Sequence, residues 1–192
     1  LARIITGPLL AVWADGFRLR RTPIAILGLV MALGFGGAGL VEGFAARAVF
    51  WFVGASAAAA LIPLTDVLTL RLAARDGFTF ALPRGVGSAA FVIANVVMGA
   101  LLLTAPVDVV IFWIVLAALG VAVVARVMPG EPVGDGVAPA PRLERFRGLG
   151  RLVIDPVFMT AIFAIGSVQA AHAFQYAFSA ILWKAQGISE AV

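Results

Sequence analysis

Residues 109–127 read Val-Val-Ile-Phe-Trp-Ile-Val-Leu-Ala-Ala-Leu-Gly-Val-Ala-Val-Val-Ala-Arg-Val, and the first seventeen of them carry no charge. A helix needs about 20 apolar residues to cross the hydrocarbon core of a bilayer, which is roughly 30 Å thick. The stretch also lacks the alternation of polar and apolar residues that is typical of a membrane β-strand. It therefore predicts a transmembrane helix.

The composition of the whole chain indicates the same class of protein. Of its 192 residues, 62% are hydrophobic and 12% are charged, whereas soluble domains are about 45–50% apolar and about 25% charged. This excess of apolar residues excludes a soluble enzyme domain and a disordered chain. The absence of cysteine excludes a disulfide scaffold. Basic residues form no aromatic-studded stripe, so we expect no nucleic-acid partner.

Apolar segments predict one short and five full transmembrane helices. They cover residues 1–13, 24–41, 49–70, 81–104, 109–127 and 157–183. The predicted fold class is an all-α integral membrane protein, a polytopic helical bundle in a lipid bilayer. Because the chain begins without Met inside an apolar run, we expect it to be an internal part of a longer protein.

Charges in the loops predict the orientation of these helices. Alternate loops carry eleven arginines, whereas the opposite loops carry only Arg47 and Lys184. The side rich in arginine faces the cytoplasm under the positive-inside rule. The eleven are Arg18, Arg20, Arg21, Arg71, Arg75, Arg84, Arg126, Arg142, Arg145, Arg147 and Arg151.

A proline-rich segment at 129–156 separates two groups of helices. It holds five prolines and a charged run at 142–147, a composition typical of a linker. We therefore predict a helical bundle at 1–128, a cytoplasmic linker at 129–156, and the first helix of a second bundle with its following loop at 157–192.

The loop after the first apolar segment combines an acid with a basic cluster. Asp15 is followed by Arg20 and Arg21. A carboxylate here can accept hydrogen bonds from a helix N-terminus or an arginine and release them when helices move. The alternative is that these charges only set the topology.

This loop resembles the cytoplasmic motif between the second and third helices of the major facilitator superfamily, Gly-x-x-x-Asp-Arg-x-Gly-x-Arg-Arg. Asp15, Arg20 and Arg21 match that pattern, whereas Ala11, Gly16 and Arg18 depart from it. The resemblance implies that the chain runs from part of helix 2 to helix 7, about six of twelve helices. It also implies that the loop takes part in gating.

Asp66 and Arg84 form the second group of interest. Each lies nine residues from Arg75, which places them at similar depth if their two helices form an antiparallel hairpin. Charges inside a membrane are costly, so they often mark a functional site. An arginine fork and a carboxylate suit a polar ligand. A structural or gating ion pair is the alternative.

The stretch at 84–91, Arg-Gly-Val-Gly-Ser-Ala-Ala-Phe, resembles the fifth helix of oligosaccharide–proton symporters, the branch of lactose permease, and is similar to that of phenylpropionate permeases. The resemblance implies that Asp66 and Arg84 occupy the positions that hold the sugar in lactose permease. The acid is Asp here where lactose permease has Glu.

A polar stripe runs along the last predicted helix. It consists of Ile165, Gln169, His172, Tyr176, Ser179 and Trp183. Steps of three and four residues put these positions on one helical face. Polar groups at this depth are expected to face protein or a water-filled cavity. His172 is able to titrate near neutral pH and carry a coupling proton, or it is a neutral histidine bonded to another helix.

Two further polar residues lie inside predicted spans. Arg3 is about 18 Å from the cytoplasmic end of its helix, at 1.5 Å per residue, and Asn95 suits an interhelical hydrogen bond. We find no Walker loop, HExxH sequence or metal-binding cluster. We therefore expect neither an enzyme nor a cofactor or metal.

These observations together predict a secondary transporter in a bacterial inner membrane. Its partners are a small polar or anionic organic solute, of sugar or aromatic-acid type, and a proton, and the full-length protein is expected to be a monomer. Substrate binding is assigned to Asp66, Arg84, Gln169, His172 and Tyr176, and proton coupling to His172 and Asp66. An efflux antiporter of the same fold and a membrane protein without transport activity are the alternatives.

Overall fold

The computed structural model describes residues 2–130, 150 and 152–187. Six helices of 13 or more residues are found in this part of the chain, besides a helical turn at 152–154, and no β-sheet, which confirms the predicted all-α class. They are α1 (Ala2–Ala14), α2 (Arg21–Leu40), α3 (Phe44–Asp76), α4 (Ala81–Leu102), α5 (Val109–Val127) and α6 (Pro156–Ala185).

Five of the described helices are long and apolar enough to cross a membrane: α2, α3, α4, α5 and, in α6, the stretch Pro156–Ala173. Their bounds follow the predicted spans closely because long apolar runs leave little choice of secondary structure in lipid. The largest difference is α3, which extends beyond the predicted segment 49–70 at both ends and reaches 33 residues.

Glycines with positive φ bound α3 on both sides. Gly43 precedes it with φ 85°, and Gly77 follows it with φ 76°. The N–H of Gly77 donates to the carbonyl of Ala73 at 3.0 Å, the left-handed closure that commonly ends a helix. The chain then turns within four residues and begins α4 at Ala81.

The first compact unit, Leu1–Pro139, is organised around α2, which packs against both α3 and α5. A Cβ added to Gly34 would lie 2.5 Å from the backbone N of Gly54, and one added to Gly28 would lie 2.9 Å from the N of Ala122. Such close backbone approach is how small residues hold membrane helices together.

One apolar cluster joins the three packed helices. Its buried members are Ile24, Leu27, Ala57, Ala60, Leu61, Leu68 and Ala125. The short helix α1 packs against α3. In contrast, α4 contains no buried residue and makes at most marginal contact with the other helices of this unit.

The second compact unit, Ala140–Val192, contains α6. The division between the two units falls inside the predicted linker 129–156. Most of that linker, including the charged run at 142–147, lies outside the described residues. The predicted domain bounds therefore stay predictions.

Candidate functional site

Asp66 lies on the face of α3 that is turned away from α2. The opposite face is buried against α2 through Gly54, Leu61 and Leu68. Asp66 follows Ile62 by four residues, and both side chains are less buried than those of the α2-facing row. A half-buried carboxyl on a membrane helix, outside the apolar core, is available to a ligand or to another helix.

Arg84 lies in the first turn of α4, and its side chain is exposed. Within the described residues it forms no ion pair with Asp66, so the pairing is absent from this structure. The reason is that α4 is not packed against α3 over any length. At the end of α3, Arg75 instead forms an ion pair with Asp76, at 2.7 Å between Nε and Oδ1.

Polar side chains further along α4 bond to the backbone of their own helix. The Nδ2 of Asn95 donates to the carbonyl of Phe91 at 2.7 Å, and the Oγ of Ser88 donates to the carbonyl of Arg84 at 3.2 Å. The described part of the structure gives Asn95 a local bond, and its expected interhelical bond stays a prediction. A short polar side chain takes a backbone carbonyl four residues back when no partner helix is adjacent.

The polar stripe of α6 lies on one uninterrupted helix, Pro156–Ala185, which is the arrangement that a shared face requires. The Nδ1 of His172 lies 2.9 Å from the carbonyl oxygen of Val168. A carbonyl only accepts, so Nδ1 is the donor in this bond. Gln169 and His172 are exposed in this unit.

The side chains of Arg3, in α1, and Tyr176, in α6, lie outside the described part of the structure. Their helical placement agrees with the predicted spans. Among the described residues no group of three or more potential metal ligands comes together.

The loop between α1 and α2 contacts the end of α5. The Nη1 of Arg21 donates to the carbonyls of Met128 at 3.1 Å and Arg126 at 3.3 Å. Arg20 is half-buried, whereas Asp15 is exposed and its carboxylate makes no hydrogen bond or ion pair within the described residues. The basic end of the loop thus binds the last carbonyls of α5. A positive charge is stabilising there because the C-terminal end of a helix carries a partial negative charge.

Two features of the structure are not predicted by the sequence patterns described above. One is the partner of Arg21, which is more than 100 residues away in the chain. The other is a cleft on α3 lined by Phe44, Arg47, Ala48, Trp51, Phe52 and Ala55, hereafter the α3 cleft. Its residues recur at steps of three and four, a signal that is visible in the sequence. The charge pattern of the loops, however, assigns Arg47 only a role in topology.

Long apolar helices and close glycine contacts define a polytopic helical membrane protein. Comparison with models of protein families matches residues 1–192 to the MFS_1 like family. The chain therefore belongs to this family of the major facilitator superfamily and is a multi-pass membrane transporter. No curated protein and no solved structure gives a significant match to it.

Proposed function

We propose that the protein is a secondary active transporter that moves a small polar or anionic organic solute together with a proton by alternating access. The observation that carries the proposal is Asp66, a half-buried acid of α3 on the face away from the apolar core. A carboxyl at such a position, in a chain of transporter family, is suited to hold a solute or a proton.

Asp66 and Arg84 are proposed to hold the solute from α3 and α4. The exposed guanidinium of Arg84 presents a planar fork to a carboxylate or to hydroxyls. The two groups do not neutralise each other in this structure, so their hydrogen-bonding capacity remains for a ligand. Gln169, His172 and Tyr176 are proposed as further solute-binding residues, and His172 and Asp66 are proposed to carry the proton.

The Asp15, Arg20 and Arg21 loop is proposed as the cytoplasmic gating element. Arg21 ties the loop to the end of α5, while the exposed Asp15 carboxylate is left for a contact that forms in another conformation. We place the linker 129–156 in the cytoplasm and the protein in a bacterial inner membrane, as a monomer without enzymatic activity.

Transport by full-length protein in proteoliposomes tests this function. With an acidic exterior, a panel of radiolabelled sugars and organic acids should include a solute that accumulates, and a protonophore should abolish the accumulation. Arg84→Ala should abolish solute binding while the protein remains in the membrane. Expulsion of the solute by an inward proton gradient would instead establish an antiporter.

A matched control is available on the same helix. Ser88 lies one turn from Arg84 and already bonds the Arg84 carbonyl, so Ser88→Ala removes a polar group without removing a charge. If Arg84→Ala and Ser88→Ala leave affinity equally unchanged, Arg84 is not part of the solute site.

A further inference from the structure

The α3 cleft lies toward the end of α3 predicted to face outside, away from Asp66. Ala55, its innermost member, precedes Asp66 by eleven residues, about 16 Å along the helix. Ala48, Ala55, Ile62 and Asp66 follow one another at steps of seven, seven and four, so the cleft and Asp66 share one face of α3. The cleft therefore opens on the same side of the helix as the proposed solute site.

Three aromatic side chains and two alanines make the cleft apolar. Phe44, Trp51 and Phe52 are all exposed, with 90%, 50% and 49% of their surfaces accessible. The alanines at 48 and 55 leave room between the rings. One wall is fixed, because Trp51 packs edge-on against Phe35 of α2 at 5.0 Å between ring centroids. Aromatic surfaces held in place in this way suit a flat apolar ligand.

Arg47 gives the cleft a positive charge at its outer end. Its Nη2 donates to the carbonyl of Val41 at 3.3 Å, which orients the guanidinium, and no carboxylate within the described residues forms an ion pair with it. Glu42, the nearest acid in the chain, is exposed and not paired with Arg47. An oriented guanidinium whose charge is not compensated favours an anion with planar oxygens.

We propose that the α3 cleft is an outer vestibule for an organic monocarboxylate with an aromatic or cycloaliphatic body, bound before it reaches Asp66. Arg47 holds the carboxylate, and Phe44, Trp51 and Phe52 hold the apolar body. The proposal rests on the proposed transport function and narrows its solute class from polar or anionic solutes in general to apolar carboxylates. A neutral sugar has no anionic group for Arg47 to hold.

Quenching of tryptophan fluorescence tests the vestibule directly in purified full-length protein. The probe is 4-nitrobenzoate, whose nitroaromatic ring quenches a nearby indole, and the neutral control is 4-nitrobenzyl alcohol. Saturable quenching by the carboxylate is expected, and it should be lost in Trp51→Phe but retained in Trp113→Phe, which removes another exposed tryptophan. Quenching that survives Trp51→Phe would place the ligand elsewhere and overturn the proposal.

The charge requirement is tested separately. Arg47→Gln should weaken 4-nitrobenzoate binding about tenfold, the usual effect of losing one charged hydrogen bond, and Arg47→Lys should weaken it less. Equal binding of the acid and the alcohol, or no effect of Arg47→Gln, would refute the assignment. Displacement of the probe in nanodiscs by phosphatidylglycerol, but not by phosphatidylcholine, would identify an anionic lipid as the occupant and also refute it.

Failure of the vestibule is distinguishable from failure of the transport function. Arg84→Ala should abolish transport and leave the quenching through Trp51 intact. Transport of a solute without quenching by the probe would refute only the vestibule proposal. Quenching through Trp51 without transport of any tested solute would support a binding site in the α3 cleft and refute the transport proposal.

Discussion

Arg21, the first residue of α2, donates a hydrogen bond from Nη1 to the carbonyl oxygen of Met128, the residue that ends α5, at 3.1 Å. The loop before α2 is thereby attached to the C-terminal end of α5. A Cβ placed on Gly130 would lie 3.7 Å from both Arg21 Cζ and Leu19 Cδ2, so the residues after α5 lie beside the same loop.

Replacing Arg21 by alanine is expected to lower the free energy of unfolding by about 1 kcal/mol, since a partly buried, charged hydrogen bond to the end of a helix is lost. Thermal unfolding followed by tryptophan fluorescence measures this. Arg18→Ala is the control, because Arg18 is an exposed cation of the same loop. If both variants shift the midpoint equally, the bond to Met128 contributes nothing specific.

Adding a methyl group at Gly34 is expected to separate α2 from α3. Its Cβ would come within 2.6 Å of two backbone atoms of Gly54, and backbone cannot move aside as a flexible side chain can. We expect Gly34→Ala to destabilise the protein by about 1–3 kcal/mol.

Gly120→Ala provides the matched control for Gly34. A Cβ on Gly120 would meet nothing within 4 Å, and alanine is the better helix former by about 1 kcal/mol. This variant should therefore unfold at the same temperature as the parent or higher. Equal losses in the two variants would mean that backbone contact at Gly34 does not limit stability.

Neutralising Asp66 is expected to uncouple transport from the proton gradient. Asp66→Asn keeps the size of the side chain and removes the carboxyl that is proposed to carry the proton, so exchange of solute across the membrane should continue while accumulation falls at least tenfold. Asp66→Glu should retain part of the accumulation. Counterflow and uptake in proteoliposomes separate the two activities, and full accumulation by Asp66→Asn would exclude Asp66 from proton coupling.

Replacing His172 is expected to weaken proton coupling, because His172 is the proposed coupling residue of α6. Its Nδ1 donates to the carbonyl of Val168 at 2.9 Å. His172→Gln should lower proton-driven accumulation of the solute in proteoliposomes. Proton-driven accumulation that stays intact in His172→Phe would dismiss the residue as a coupling group.

The helices were predictable because their signal is local. In lipid every polar group of the backbone must form its hydrogen bond within the segment, so a long apolar run such as 109–127 forms an α-helix. The family was accessible for a similar reason, since the motif residues Asp15, Arg20 and Arg21 stand together in one loop.

Contacts between distant residues were less accessible. Nothing near Arg21 in the sequence indicates Met128, because helix packing brings the two together. The equal spacing of Asp66 and Arg84 from Arg75 predicts that the two residues lie at similar depth in a hairpin. It does not determine whether the two helices of that hairpin pack against each other. The bond of Asn95 to Phe91 likewise depends on whether a neighbouring helix is present, which one segment of sequence does not encode.

The length of α3 constrains how it sits in the bilayer. Its 33 residues make a rod about 50 Å long, while the hydrocarbon layer is about 30 Å thick. Even at a tilt of about 40°, the upper end of the range seen for membrane helices, the rod rises about 38 Å along the normal. Both ends of α3 therefore extend beyond the hydrocarbon layer. Arg47 lies near one membrane surface and the Arg75–Asp76 pair near the other, and these charges oppose displacement of the helix along the membrane normal.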